Sequence, residues 1–156
     1  GSSRVSQNCD PIFCGGKKRK TLIQQIVIAV ADNNGSIYRA FRNVSSEARL
    51  LDCRVANSVI TAGTSYSLGI ANVEFGGVIS ANALANAMDM SAAAASFFAG
   101  KNGLGNVALT NLGKRLFELA GHTEANKKEA YDIVLTATTV GSSGGNIAIL
   151  LDFAED

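Results

Sequence analysis

The sequence predicts a mainly β fold: an antiparallel β-sandwich, jelly-roll-like, with one or two short helices and an extended N-terminal arm. Three observations carry this prediction. Apolar and polar residues alternate with a period of two in several short runs. Turn signals such as "DNNG" and "GSSGG" separate those runs. No helix-strand-helix rhythm of the kind that builds a parallel sheet runs through the 156 residues.

Residues 1–20, "GSSRVSQNCDPIFCGGKKRK", hold the only Pro, the pair Gly15-Gly16 and four consecutive cations, Lys17, Lys18, Arg19 and Lys20. They read as an extended basic arm, which leaves residues 21–156 as the sandwich domain. "TLIQQIVIAVA" is the first strand and "DNNG" the turn after it. "SIYRAFRNV" then alternates, with Ile37, Arg39, Phe41 and Asn43 on one side and Tyr38, Ala40, Arg42 and Val44 on the other. "ARLLDCRVANSVI" alternates through Leu51, Cys53, Val55 and Asn57, and "SYSLGIANVEF" gives one or two further strands.

The Ala-rich stretch "SANALANAMDMSAAAASFFAG" predicts the helical part. Ser80 caps a short helix with Leu84, Ala87 and Met88 on one side, and Ser91 caps a second that ends near Gly100. In "NLGKRLFELAG", Leu112, Leu116 and Leu119 fit a helical face, but Gly113 interrupts it, and Arg115 to Leu119 is read as a strand. "HTEANKKEA" is a charged loop or one helical turn. The chain then closes on "AYDIVLTATTVGSSGGNIAILLDF", read as a hairpin turning at Ser142-Ser143-Gly144-Gly145. Its water-facing side carries Val134, Ala148 and Leu150, so the hairpin is apolar on both faces.

Composition narrows the classes of function. Charged residues make up 17% of the chain, against roughly 25% in an average soluble domain, and apolar residues 47%. A surface so poor in charge favours association, which points to an assembly subunit. A net charge of +1 argues against a whole-domain nucleic-acid footprint. No apolar run approaches the roughly 20 residues of a membrane-spanning helix, and no signal peptide opens the chain. Three cysteines without a secretion signal point to reduced thiols in a cytoplasmic product.

The chemistry-bearing residues are sparse. Cys9 and Cys14, spaced Cys-x4-Cys, would need Cys53 and His122 to complete a zinc site, but structural zinc sites show two close pairs. Cys53 lies on an alternating strand and reads as a small core residue; a Cys9–Cys14 disulfide is the other option for the arm. His122 is the single histidine, no Gly-x-Ser-x-Gly elbow accompanies it, and it reads as a polar loop residue. Asp32, Glu47, Asp52, Asp89, Glu118 and Asp132 are scattered singly rather than paired. "GKNGLGN" lacks the ending of a phosphate loop and reads as a surface loop. The expectation is therefore no catalytic residue, no cofactor and no metal. The run Lys17 to Lys20 is either a solvated linker or a grip on an acidic surface, with Ile12 and Phe13 as apolar anchors.

The order of these segments resembles a known group. Arg115-Leu116-Phe117-Glu118-Leu119, a polar loop, Tyr131-Asp132 and a segment turning at Gly144-Gly145 follow the strands built on "DNNGSIYRAFRNVSSEARLLDCRV" and "SYSLGIANV". That plan, across residues 21–154, is similar to the small β-sandwich virion proteins of tailed bacteriophages, of the head decoration or cement type. The loop 122–130 lacks the proline of that plan, and the basic arm lies outside it.

The resemblance implies a non-enzymatic virion protein, assembled in the host cytoplasm. Its partners would be copies of itself, most simply as a trimer, and other virion proteins such as the major capsid protein, with no membrane and no nucleic acid. Val134, Ala148 and Leu150 would then meet a neighbouring subunit, although a monomer core under residues 81–100 would explain the hairpin equally well. A neck, tail or baseplate subunit is the alternative within the class, and a carbohydrate-binding sandwich the alternative outside it.

Overall fold

The computed structural model describes residues 18–28, 33–60, 64–90, 102–103, 113–141 and 143–155. Its strands are β1 (Lys18–Ile28), β2 (Ile37–Ser45), β3 (Arg49–Asn57), β4 (Ser65–Ala71), β5 (Val78–Asp89), β6 (Asn102–Gly103), β7 (Ala130–Thr139) and β8 (Gly145–Glu155). One short helix, α1 (Leu116–Leu119), precedes β7. The strands form two four-stranded sheets, β1-β8-β3-β6 and β2-β7-β4-β5, and every pairing is antiparallel. The first strand pairs with the eighth, the second with the seventh, the third with the sixth and the fourth with the fifth. This is one long hairpin folded over on itself, the order of a jelly-roll-like sandwich.

A single core lies between the sheets. The first contributes Ile26, Ile28, Cys53, Val55, Ile147, Ile149, Leu151 and Phe153, and the second Phe41, Tyr66, Leu68, Ile70, Tyr131, Ile133 and Leu135. Alternation explains the inner set on β8, where Ile147, Ile149, Leu151 and Phe153 are all buried. It fails on β2, where the pairing with β7 shifts on either side of Phe41 and Asn43 adopts φ 52°. Phe41 and Val44, three apart, therefore both reach the core.

Four expectations need correction. The closing segment is not a hairpin, because β7 and β8 lie in opposite sheets. The chain between them crosses the sandwich, held where Ser58 Oγ accepts from Asn146 N at 2.9 Å and Ser143 Oγ donates to Ile60 O at 3.0 Å. Residues 80–88 form strand β5 rather than a helix. Their small side chains allow an irregular excursion over β4: Ile70 pairs with Ser80 but Leu68 with Ala85. Tertiary pairing overrides the helix preference of alanine there. The helix expected after Ser91 lies outside the described residues.

The stretch 115–119 is a bridge at Arg115 followed by α1, not a strand. Leu116 N and Phe117 N donate to Ala48 O and Ser46 O, which docks the helix on the β2–β3 turn. Gly121, at φ 83°, ends it. Finally, β1 begins at Lys18, so three of the four arm cations belong to a strand of the sandwich.

Candidate functional site

The outer face of the first sheet is built by the odd residues of β1 and the even residues of β8. In their register Ile23 faces Leu150, Gln25 faces Ala148 and Thr21 faces Asp152. On the far side of β8, Arg54 faces Leu150 and Ala56 faces Ala148. Ile23 is 62% exposed and Val27 70%, while Leu150 and Ala148 are half-buried between their neighbours. The result is an apolar strip on an open sheet face. Charged pairs border it: Asp152 with Arg19, and Asp52 with Arg54 at 2.7 Å.

Two of the sequence-predicted partner residues, Ala148 and Leu150, thus lie together on this face. Val134 does not join them. It is buried on the outer side of the other sheet, in a cleft of about 140 Å³ lined by Ile37, Arg39, Ala71, Val78 and Asp132 among others. Ile12, Phe13 and Lys17 lie outside the described residues. Lys18 stands opposite Glu155 at the start of β1. Arg19 Nε donates to both Asp152 oxygens, at 3.1 and 3.0 Å, and Lys20 Nζ lies 3.2 Å from Glu155 Oε2. Both cations are engaged within the chain. The Arg19 guanidinium holds the Asp152 carboxyl below the usual carboxylate range, with Thr21 Oγ1 assisting.

Ile23 and Val27 were missed in the sequence reading. Their signal was present: in "TLIQQIVIAVA" both faces of the strand carry large apolar residues, and one of them had to look outward.

A second cluster closes one end of the sandwich. Glu47 accepts from Lys127 and Arg115, and Lys127 also lies 2.8 Å from Glu124 while its ammonium stands 5.0 Å from the Phe117 ring centre. The Lys127 hydrogen bond, with Arg115 behind it, pulls the Glu47 carboxyl below its usual range; Glu124 and Glu47 raise Lys127. His122 Nδ1 bonds the hydroxyl of buried Tyr131, which also accepts from Lys128 N at 3.1 Å. These contacts pin the 113–129 segment to the β2–β3 turn.

Cys53 is 1% exposed on the inner face of β3, and burial pushes its thiol up to about 12, so it packs as a small core residue. Cys9 and Cys14 lie outside the described residues. Among the described residues no three His, Cys, Asp or Glu side chains are grouped to hold a metal ion, and no helix is long and apolar enough to cross a membrane.

Among the described residues, the fold and this surface define an antiparallel β-sandwich with an exposed apolar strip on the outer face of its first sheet. No protein-family model matches the chain, and no curated protein matches it significantly in sequence. Among solved structures, the chain is similar to a chain of the cyanophage Pam1 capsid asymmetric unit. The TM-score is 0.51 at 14% identity, over 90% of this chain and 87% of that one. At that identity the likeness is one of fold.

Proposed function

We propose that the chain is a non-enzymatic structural subunit of a bacteriophage virion, a capsid decoration or cement protein that binds the head lattice and stabilises the particle. The observation that supports this reading is the likeness of fold, over 90% of this chain, to a chain of the cyanophage Pam1 capsid asymmetric unit. The apolar strip of Ile23, Val27, Ala148 and Leu150 supports it, because exposed apolar patches mark association surfaces. In this reading the subunit associates with copies of itself, as a trimer, and with the major capsid protein.

The carbohydrate-binding alternative fits less well. Sugar platforms favour exposed aromatics; among the described residues Tyr66, Tyr131, Phe41, Phe117 and Phe153 are buried and Tyr38 packs against the core, and the sequence has no Trp. The test is to disassemble purified particles into heads and tails and probe each fraction for this chain. The reading expects it in the head fraction at a fixed ratio to the major capsid protein. Recovery with tails would move it to a neck, tail or baseplate role, and absence from particles would reject it.

A further inference from the structure

Strand β1 is an edge of its sheet: among the described residues it pairs only with β8. Edge strands in soluble proteins are blunted by shortness, bulges, proline or charge. The other edges here follow that rule. Strand β6 has two residues, and the pairings of β2 and β5 are broken by register shifts. Strand β1 does not. Its register with β8 runs unbroken over 11 residues, and Leu22–Ile28, "LIQQIVI", contains no charge, proline or glycine. An unbulged, neutral, β-branched edge of this kind is a template for pairing with another strand.

We infer that this edge pairs, antiparallel and about a two-fold axis at Gln25, with β1 of a second copy of the chain, joining the two sheets into one of eight strands. Charge selects the orientation. A parallel pairing would set Lys18 to Lys20 of one copy about 5 Å from the same cations of the other. The antiparallel pairing centred on Gln25 sends them to opposite ends, with the two Lys20 residues about 34 Å apart along the strands, well beyond a screening length of about 10 Å.

The register follows from the side chains. With Gln25 opposite Gln25, Ile23 meets Val27 of the second copy on the outer face, and Leu22 meets Ile28 on the inner one. Apolar pairs so formed stabilise a sheet, and a shift by one residue would set Ile23 against a core-facing position. The two most exposed large apolar side chains of the described residues, Ile23 at 62% and Val27 at 70%, become each other's partners. The strip of Ala148 and Leu150 continues across the junction on both sides. The inference goes beyond the reading above: it names the strand and register of a self-contact and does not depend on where in a particle the chain sits. Where subunits also form trimers, the contact links one trimer to the next.

Cross-linking of the purified full-length chain tests it. Gln25→Cys and Thr21→Cys are each made together with Cys9→Ser and Cys14→Ser; Cys53, 1% exposed, is shielded from the reagent. A short bis-maleimide should give at least about tenfold more covalent dimer at position 25 than at 21, since the two Thr21 side chains would be about 27 Å apart. Mixing Ile23→Cys with a size-tagged Val27→Cys chain should give the mixed dimer in preference to either self-dimer. Adding Ile23→Lys to the Gln25→Cys chain should remove the product while the melting curve stays put, because that side chain is mostly exposed. Equal yields at 21 and 25, a parallel pattern, or dimer that survives Ile23→Lys would overturn the inference. So would its absence at every position. Fractionation of particles decides the virion reading separately, so either claim can fail alone.

Discussion

Arg39 and Asp132 form an ion pair across β2 and β7 on the outer side of the second sheet, Nε to Oδ2 at 2.9 Å, with the side chains 10% and 2% exposed. The second carboxylate oxygen accepts from Asn43 N at 3.0 Å, at the residue whose positive φ marks the bulge in β2. The pair therefore fixes both a charge and a backbone irregularity. Removing one partner would strand the other.

Asp132→Ala should accordingly destabilise the fold by about 3–5 kcal/mol, the cost of leaving a buried guanidinium uncompensated. Asp132→Asn retains an acceptor for Asn43 N and should cost less. Urea denaturation of the two variants measures the order; equal losses would show that the charge, not the bulge contact, is what matters.

Gly69 lies beneath the β5 excursion, and a Cβ there would come within 2.0 Å of Ser80 O and 2.4 Å of Ala81 O. Backbone atoms cannot move aside as a flexible side chain would. Gly69→Ala should cost about 3 kcal/mol and loosen β5 from β4, read as faster amide exchange across Val78–Asp89. Gly35→Ala is the contrast: its added methyl meets nothing within 4 Å, and its cost should come from the φ of 89° alone.

The general architecture was legible in the sequence because period two survives on β8 and β4 is a largely apolar run, as expected of sandwich strands. On β3 the expected alternation through Leu51 breaks at the register shift between Leu50 and Asp52, which buries Leu50 and leaves Leu51 45% exposed. What period two does not encode is which sheet a strand joins. Strands β7 and β8 therefore read as a hairpin although Ala130–Thr139 and Gly145–Glu155 pair with different neighbours. Their apolar outer faces have two separate causes. Val134 is covered by its own chain around Val78 and Ile37, whereas Leu150 borders the open strip with Ile23. Helix α1 was read as a strand because Gly113 cuts the helical face of Leu112, Leu116 and Leu119 to a single turn, and the Ala-rich β5 was read as a helix because its shape is set by Gly69 on another strand. The exposed apolar pair on β1 was visible in the residues but hidden by treating the neighbouring cations as part of a separate arm.

Acid should weaken the fold through two carboxylates in particular. Asp152 is held below the usual range by Arg19, and Glu47 by Lys127 and Arg115. A carboxylate depressed in the folded state stabilises fully above its unfolded value, and that contribution disappears as pH falls through the folded one. Stability should therefore be flat from neutrality to about pH 5 and decline below it. Arg19→Ser removes the partner of Asp152 and should shallow the acid decline, which melting temperatures across pH 3 to 7 would show; an unchanged slope would exclude this pair as its source.

The outer apolar strip and the buried cleft make opposite predictions for the same substitution. Leu150 is half-buried between Ile23 and Arg54, so Leu150→Glu leaves the core intact while placing a carboxylate in the strip. It should reduce self-association and incorporation into particles by about tenfold or more and leave the monomer's melting temperature within a few degrees, the usual scale of a surface change. Val134 is 4% exposed beside the Arg39–Asp132 pair, so Val134→Glu buries a second carboxylate next to Asp132. That change should unfold the isolated chain, because an uncompensated buried charge costs several kcal/mol. Deleting residues 1–16 provides the third comparison. It keeps every residue of β1 and its Arg19–Asp152 and Lys20–Glu155 pairs, so the sandwich should melt as before while attachment to particles falls. Sedimentation and thermal melting of the three variants separate the cases. Assembly lost without unfolding assigns the strip and the arm to the interface; unfolding with Leu150→Glu or with the deletion would instead assign them to the fold.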